Sequence, residues 1–183
     1  SQWWENKRRQ DAYEQGENER LMGDIRRLSE AARRTAAWAD RVEGEKIGDI
    51  PDRDQNEKFG QKLDFLTEMR DVFHADTPTR AILVGDLNIA PREDDVWSHK
   101  QLLKIVSHTP VETTGLTQAQ KAGNWVDLIR QHIPPEEKVY TWWSYRAHDW
   151  ELSNRGRRLD HIWATPDLAR RSNGIEILRE ARG

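Results

Sequence analysis

No cysteine occurs anywhere in the 183 residues, which rules out both a disulfide framework and a thiolate metal site. A reducing cytoplasm is therefore the expected compartment. Long apolar runs are missing too. No stretch approaches membrane-spanning length, and no charged leader followed by an apolar core opens the chain, so neither membrane insertion nor secretion is expected. Nor is there an excess of positive charge. The formal net charge is −3, so any binding of nucleic acid has to come from a local basic patch and bound cations rather than from the chain as a whole. Apolar content is low: 36% hydrophobic against 33% charged residues, with a mean hydropathy of −0.97. Free-standing domains more often approach half apolar, so either part of the chain is a solvated helix or part of a core is absent. The first residue is serine rather than methionine, and the last two, Arg182 and Gly183, follow a strand-like run. Together these features read as a fragment.

What is present falls into two parts, residues 1–47 and 48–183. The first carries ten Lys/Arg and ten Asp/Glu, dense in charge and locally neutral. Leu21, Ile25, Leu28, Ala32, Thr35, Ala39 and Val42 recur in steps of four and three, the narrow seam of one long charged helix of coiled-coil type. Gly44, Gly48 and Pro51 end it. Beyond them, Phe59, Leu63, Leu66, Met69 and Phe73 keep helical spacing. The run from Ala81 to Val84 reads as a strand buried on both faces. A short helix is expected over 124–132, and strands over 139–145, 159–164 and 174–178. Interleaved helices and strands indicate an α/β layered architecture.

Two stretches carry chemistry. At the end of the first strand, Asp86 and Asn88 stand two residues apart after Gly85, and the period-two geometry of a strand points both to one side. A carboxylate able to hold a metal or deprotonate water, beside a neutral hydrogen-bond donor, is what phosphodiester hydrolysis requires. An Asp-Asn turn closing a strand would leave the same local pattern. The second stretch joins Tyr140-Thr141-Trp142-Trp143-Ser144-Tyr145-Arg146 to Arg155, Arg157 and Arg158. Aromatic faces stack on bases or sugars and guanidinium groups hold phosphates. Alternation along a strand sends one of Trp142 and Trp143 into the core, and a solvated loop accounts equally well for the arginines.

Taken in order, Gly85-Asp86-Leu87-Asn88-Ile89-Ala90-Pro91, then Trp142-Trp143-Ser144-Tyr145-Arg146, then Asn154 through His161, resemble the exodeoxyribonuclease III family of the endonuclease/exonuclease/phosphatase superfamily. The resemblance runs from about residue 49 to the end. It implies an incomplete two-sheet α/β sandwich preceded by the charged helix. It also implies that Asp86 activates water, that Asn88 stabilises the phosphorane-like transition state, and that both lie within reach of Mg2+, with Mn2+ as an alternative ion. Asp160 would support a catalytic histidine. Trp142 would meet a flipped-out abasic sugar, and Arg146, Arg155, Arg157 and Arg158 would lie near phosphates. The implied substrate is double-stranded DNA with abasic sites or 3′ ends.

Parts of the family pattern are not matched. Its metal-binding Glu and opening Asn find no counterpart. Glu45-Lys46-Ile47 stand where its catalytic Tyr belongs, and its closing Ser-Asp-His would lie beyond Gly183. His99, His108, His148 and His161 do not occupy that context, and His161, next to Asp160 on a strand, points to the other face. The sequence therefore reads as half an active site with an uncovered sheet face, which a complementing fragment or second copy would have to cover. Residues 33–43 resemble the helical linker of ATP-binding-cassette F proteins, which would make a partner protein or the ribosome the target of residues 1–47. Two other readings compete with a DNA-repair nuclease. One is a superfamily phosphodiesterase for a different substrate, and the other is a non-catalytic fusion whose N-terminal helix binds a partner.

Overall fold

The computed structural model describes residue 2 and residues 5–16, 19–20, 50–144 and 149–182. Contacts group the chain into two units, Ser1–Gly44 and Glu45–Gly183. In the first unit, residues 5–16 form helix α1, and every described side chain in it is exposed. Gln10 bonds Glu14 across one turn at 3.3 Å, and Gln15 bonds Glu19 likewise. The apolar seam expected between Leu21 and Val42, and the segment resembling the cassette-protein linker, lie outside the described residues.

In the second unit, Asn56 begins helix α2 (Glu57–Ala75) by accepting a hydrogen bond from the Phe59 amide. Phe59, Leu66, Met69 and Phe73 then recur at helical spacing and are buried, so the sequence period and the packed face coincide. Strand β1 (Ile82–Asp86) follows, and then a short helix, α3 (His99–Leu102). Helix α4 (Pro110–Ala122) opens with a capping box in which Thr109 and Glu112 satisfy each other's backbone amides. α4 packs on α2. At Gly115 a Cβ would sit 3.0 Å from Leu66 Cδ1, so the missing side chain is what allows the two helices to approach.

The main sheet is antiparallel, in the order β1, β5 (Asp160–Ala164), β2 (Val126–Asp127). β3 (Trp142–Trp143) pairs with β4 (Gly156–Arg157) in a second, two-stranded sheet. Short helices α5 (Leu128–His132), α6 (Trp150–Ser153) and α7 (Pro166–Ala169) close the connections. Trp163, Ile89, Val96, Leu116 and Met69 are buried at the centre, and Phe73 meets Trp125 edge-on with ring centres 5.5 Å apart.

Four sequence expectations need correcting. The run from Ala81 to Val84 forms a strand but is not buried on both faces: Ile82 is 54% and Val84 67% exposed. Among the described strands β1 lies at the sheet edge, and only its Leu83 side turns inward. The helix expected over 124–132 starts only at Leu128, because Val126 and Asp127 pair with β5 and Asp127 caps the helix through the amides of Ile129 and Arg130. The strand expected over 139–145 is reduced to Trp142–Trp143, the length of its partner β4. Residues 174–178 form no strand. A strand needs a neighbour to pair with, and intrinsic preference alone does not supply one.

Candidate active site

β1 and β5 pair with Asp86 directly opposite Asp160. Opposed residues of an antiparallel pair project to the same face, with Cβ atoms roughly 5 Å apart, so two carboxylates distant in sequence become neighbours. The chain leaves the sheet just after Asp86. Asn88 takes a left-handed conformation with φ 53°, which asparagine tolerates better than most residues. Its amide donates to Asp86 Oδ1 at 2.8 Å, so the acid stabilises the turn that follows it. On the β5 side, the amides of Leu159 and Asp160 both donate to Thr141 Oγ1, at 3.0 and 3.1 Å.

Asp86 presents open surface to water, yet enough protein surrounds its carboxyl to matter electrostatically. Desolvation is the chief cause raising its pKa above the ordinary carboxylate value, and the neighbouring Asp160 adds to it. The Asn88 amide and the Lys62 ammonium pull the other way without cancelling it. Lys62 projects from α2, its Nζ donating to Asn88 O at 3.1 Å and to Glu112 Oε1 at 2.8 Å. Nothing in the sequence motifs marks Lys62 or Glu112; only the packing of α2 on α4 brings them together beside the site.

Trp142 and Arg157 are register partners on β3 and β4, with the guanidinium carbon 5.7 Å from the ring centre. Trp143 is the buried member of the tryptophan pair, its indole N–H bonded to Asn154 at 3.0 Å, while Trp142 is half-buried. Arg155 is exposed and lies over Trp97, 4.7 Å from its centre. Arg157 also donates to Ser107 Oγ and Val106 O. Arg146 lies outside the described residues.

Arg158 has a different task from the one the resemblance implies. It is fully buried and ion-paired to Asp95 and Asp127 at 2.9 and 2.8 Å, so it cannot reach a phosphate. His161 does turn away from Asp160. It is buried, with Nε2 2.8 Å from Ile89 O. Burial, reinforced by the adjacent Arg158 charge, lowers its pKa to about 4. Among the described residues, no histidine is bonded to Asp160.

Asp86, Asp160 and the Asn88 amide offer only hard oxygen donors beyond the backbone. Among the described residues no cluster of three or more acidic, histidine or cysteine side chains forms a closed cage. That donor set suits Mg2+, which keeps several of its waters and takes one or two carboxylates together with substrate phosphate. It does not suit a structural zinc site, which needs four nitrogen or sulfur ligands.

Residues 25–182 match the sequence pattern of the Endonuclease/Exonuclease/phosphatase family. The chain belongs to that family. DNA repair nuclease APEX1 of Danio rerio is 38% identical over 81 residues, which are 44% of this chain and 26% of that protein. An exodeoxyribonuclease of Bacillus subtilis is 30% identical over 112 residues, 61% of this chain and 44% of that one. Among solved structures, an AP endonuclease from Archaeoglobus fulgidus superposes with a TM-score of 0.60 at 28% identity, covering 68% of this chain and 47% of that one. The 3′-5′ exonuclease NExo of Neisseria meningitidis gives 0.55 with the same identity and coverage. The chain thus spans less than half the length of each of these relatives. The exodeoxyribonuclease III resemblance and the mixed α/β fold agree with these matches. The family match also begins upstream of the point where the motif resemblance starts.

Proposed function

We propose that this chain carries the acid-bearing part of a Mg2+-dependent DNA-repair phosphodiesterase that cuts duplex DNA beside abasic sites and trims 3′ ends. The observation that supports this is the pairing of Asp86 with Asp160 across β1 and β5, with the Asn88 backbone amide donating to Asp86 Oδ1. Asp86 is the general base: its raised pKa makes the carboxylate more basic than a solvated one, and therefore better at taking a proton from the attacking water. The Asn88 side chain is the neutral donor to the phosphoryl oxygens. Asp160 completes the oxygen-donor pair with Asp86, and its proximity adds to the rise in the Asp86 pKa. Mg2+, or Mn2+ in its place, supplies Lewis-acid polarisation of the phosphoryl group when bound. Trp142, Arg155 and Arg157 face DNA in this reading, with an aromatic face for the sugar or base and guanidinium groups for phosphates; Arg146 joins them on the motif resemblance alone. Arg158 is excluded from this set by its burial.

The test is cleavage of a duplex carrying a single abasic site, in Mg2+, against EDTA and against Asp86→Asn. Asn keeps the shape of Asp but cannot accept a proton, so a fall in rate of at least about 10²-fold is expected. A panel of RNA ends and phosphoinositides run alongside separates DNA from other phosphodiester substrates. Equal activity in wild type and Asp86→Asn would overturn the assignment of the base.

A further inference from the structure

Past Asp86, three successive carbonyl groups are each held by a side chain from a different part of the fold. Asn88 O accepts from Lys62 Nζ at 3.1 Å, Ile89 O lies 2.8 Å from His161 Nε2, and Ala90 O lies 2.6 Å from His108 Nδ1. Three amides of the segment are bonded as well. Leu87 N donates to Leu159 O at 3.0 Å, Asn88 N to Asp86 Oδ1 at 2.8 Å and Ala90 N to Ser107 O at 2.7 Å. A carbonyl oxygen only accepts, so each histidine nitrogen has to be the donor. That fixes His108 as the Nδ1–H tautomer and His161 as the Nε2–H tautomer. Both assignments agree with the remaining contacts. Arg158, which can only donate, meets the bare Nδ1 of His161 at 3.3 Å, and His108 Nε2 is free to accept from His99 Nδ1 at 2.8 Å.

Buried carbonyls are mostly satisfied by other backbone groups. Here the left-handed turn at Asn88 carries the chain out of the β1 ladder, and side chains take over. Their own support is shared. Buried Glu112 accepts from the amides of Ser107 and Thr109, from Thr109 Oγ1, and from Lys62 Nζ. One carboxylate thus anchors both the lysine that holds Asn88 and the turn that holds Ala90. His108 and His161 are themselves buried.

We propose that His108, His161 and Lys62 are positioning residues: they grip the carbonyls of residues 88–90 and thereby hold the Asp86 and Asn88 side chains in place beside Asp160. The proposal rests on Asp86 and Asn88 being the reactive pair assigned above. None of the three needs to touch substrate.

The test compares substitutions that keep the donor with ones that remove it. His108→Asn places an amide N–H near the position of Nδ1, and His161→Gln places one near Nε2; His108→Leu and His161→Leu place nothing there. Two quantities are read on the full chain. The first is steady-state cutting of the abasic duplex, and the second is amide hydrogen exchange across 86–90 in metal-free protein. The Leu variants are expected to lose roughly 10- to 100-fold in kcat, the scale that a displacement of about 1 Å produces, with KM within about twofold of wild type. Exchange over 86–90 rises in them while α2 and α4 keep their protection. The Asn and Gln variants regain most of both. Should a Leu variant fail to fold, His108→Gln, whose amide reaches one bond further, provides the same contrast in a polar side chain. Wild-type exchange over 86–90 in the Leu variants, or Asn as impaired as Leu, overturns the proposal. If the wild-type chain cuts no substrate at all, the functional reading falls, and the exchange comparison by itself still decides whether the grip exists.

Discussion

Asp95→Asn is the substitution from which the structure predicts the largest loss of stability. Asp95 is completely buried, and its carboxylate accepts from Arg158 Nε and Nη2 at 2.9 Å each, from Arg130 Nε at 3.1 Å and from the Arg92 amide at 3.0 Å. Desolvation alone would raise its pKa, but the two guanidinium groups outweigh that and lower it. Through these bonds the turn at residues 93–95 is tied to the strand that begins at Asp160, and the Arg158 amide adds a bond to Asp95 O at 2.8 Å. Asparagine fills the same space but removes the negative charge, leaving Asp127 as the carboxylate still paired with Arg158, while Arg130 keeps its bonds to the carbonyls of Pro134 and Glu137. Removing one member of a buried ion pair costs about 3–5 kcal/mol, a large share of the ~5–15 kcal/mol that holds a typical domain together. With a urea m-value of about 2 kcal/mol/M, the unfolding midpoint should fall by about 2 M. Equilibrium urea unfolding followed by tryptophan fluorescence reads this directly. A midpoint shift equivalent to less than about 1 kcal/mol, the scale of an exposed pair, would refute the claim that this network is a buried structural tie.

Two further outcomes follow from the packing. At Gly156 an added Cβ would lie 2.5 Å from Tyr140 Cβ and Cγ, so Gly156→Ala must displace the ring that packs edge-on against Trp143. A loss of about 1–3 kcal/mol is expected, and an unchanged thermal midpoint would contradict it. The histidines make the fold acid-sensitive. His161, lowered to about 4, and His108, lowered by burial, are neutral in the native state, whereas unfolded histidine titrates at 6.5. Their contribution is complete above pH 6.5 and is lost as pH falls from there, for His161 down to about 4, because the unfolded chain then binds more protons. Asp95 extends the loss below 3.8, and Asp86, with its raised pKa, opposes it just above that value. Urea midpoints at pH 7, 5 and 4 should therefore descend; a midpoint at pH 5 equal to or above that at pH 7 would reverse the sign.

The Gly-Asp-x-Asn motif stood out in the sequence, but its geometry did not: β1 ends at Asp86 and Asn88 enters a left-handed turn, so the strand alternation expected to point both side chains to one side does not extend to Asn88. The pairing of Asp86 with Asp160 depends on the β1–β5 register, which no local pattern supplies. The arginine run was not legible in the same way. Arg155, Arg157 and Arg158 look alike in sequence, but alternation along β4 and the turn after it buries only Arg158, against acids at 95 and 127 that no local pattern connects to it. Lys62 was hidden for the same reason, being one of two lysines on α2 until α4 packs beside it. The apolar run at 81–84 misled because four aliphatic residues look the same whether a strand lies at the centre of a sheet or at its edge, and edge position is decided by the partners.

That edge position has a consequence of its own. Among the described strands, β1 has a single neighbour, so the strand that delivers Asp86 is paired through one ladder of hydrogen bonds, to which the side chains that hold residues 88–90 add. Protein segments of this kind open at a lower free energy than the core around them. Separating β1 from β5 would part Asp86 from Asp160 while α2 and α4 stay packed. On gentle heating, then, the Asp86–Asp160 pairing can part before the rest of the fold is lost, and a thermal midpoint for structure will overstate the temperature at which the two carboxylates stay paired.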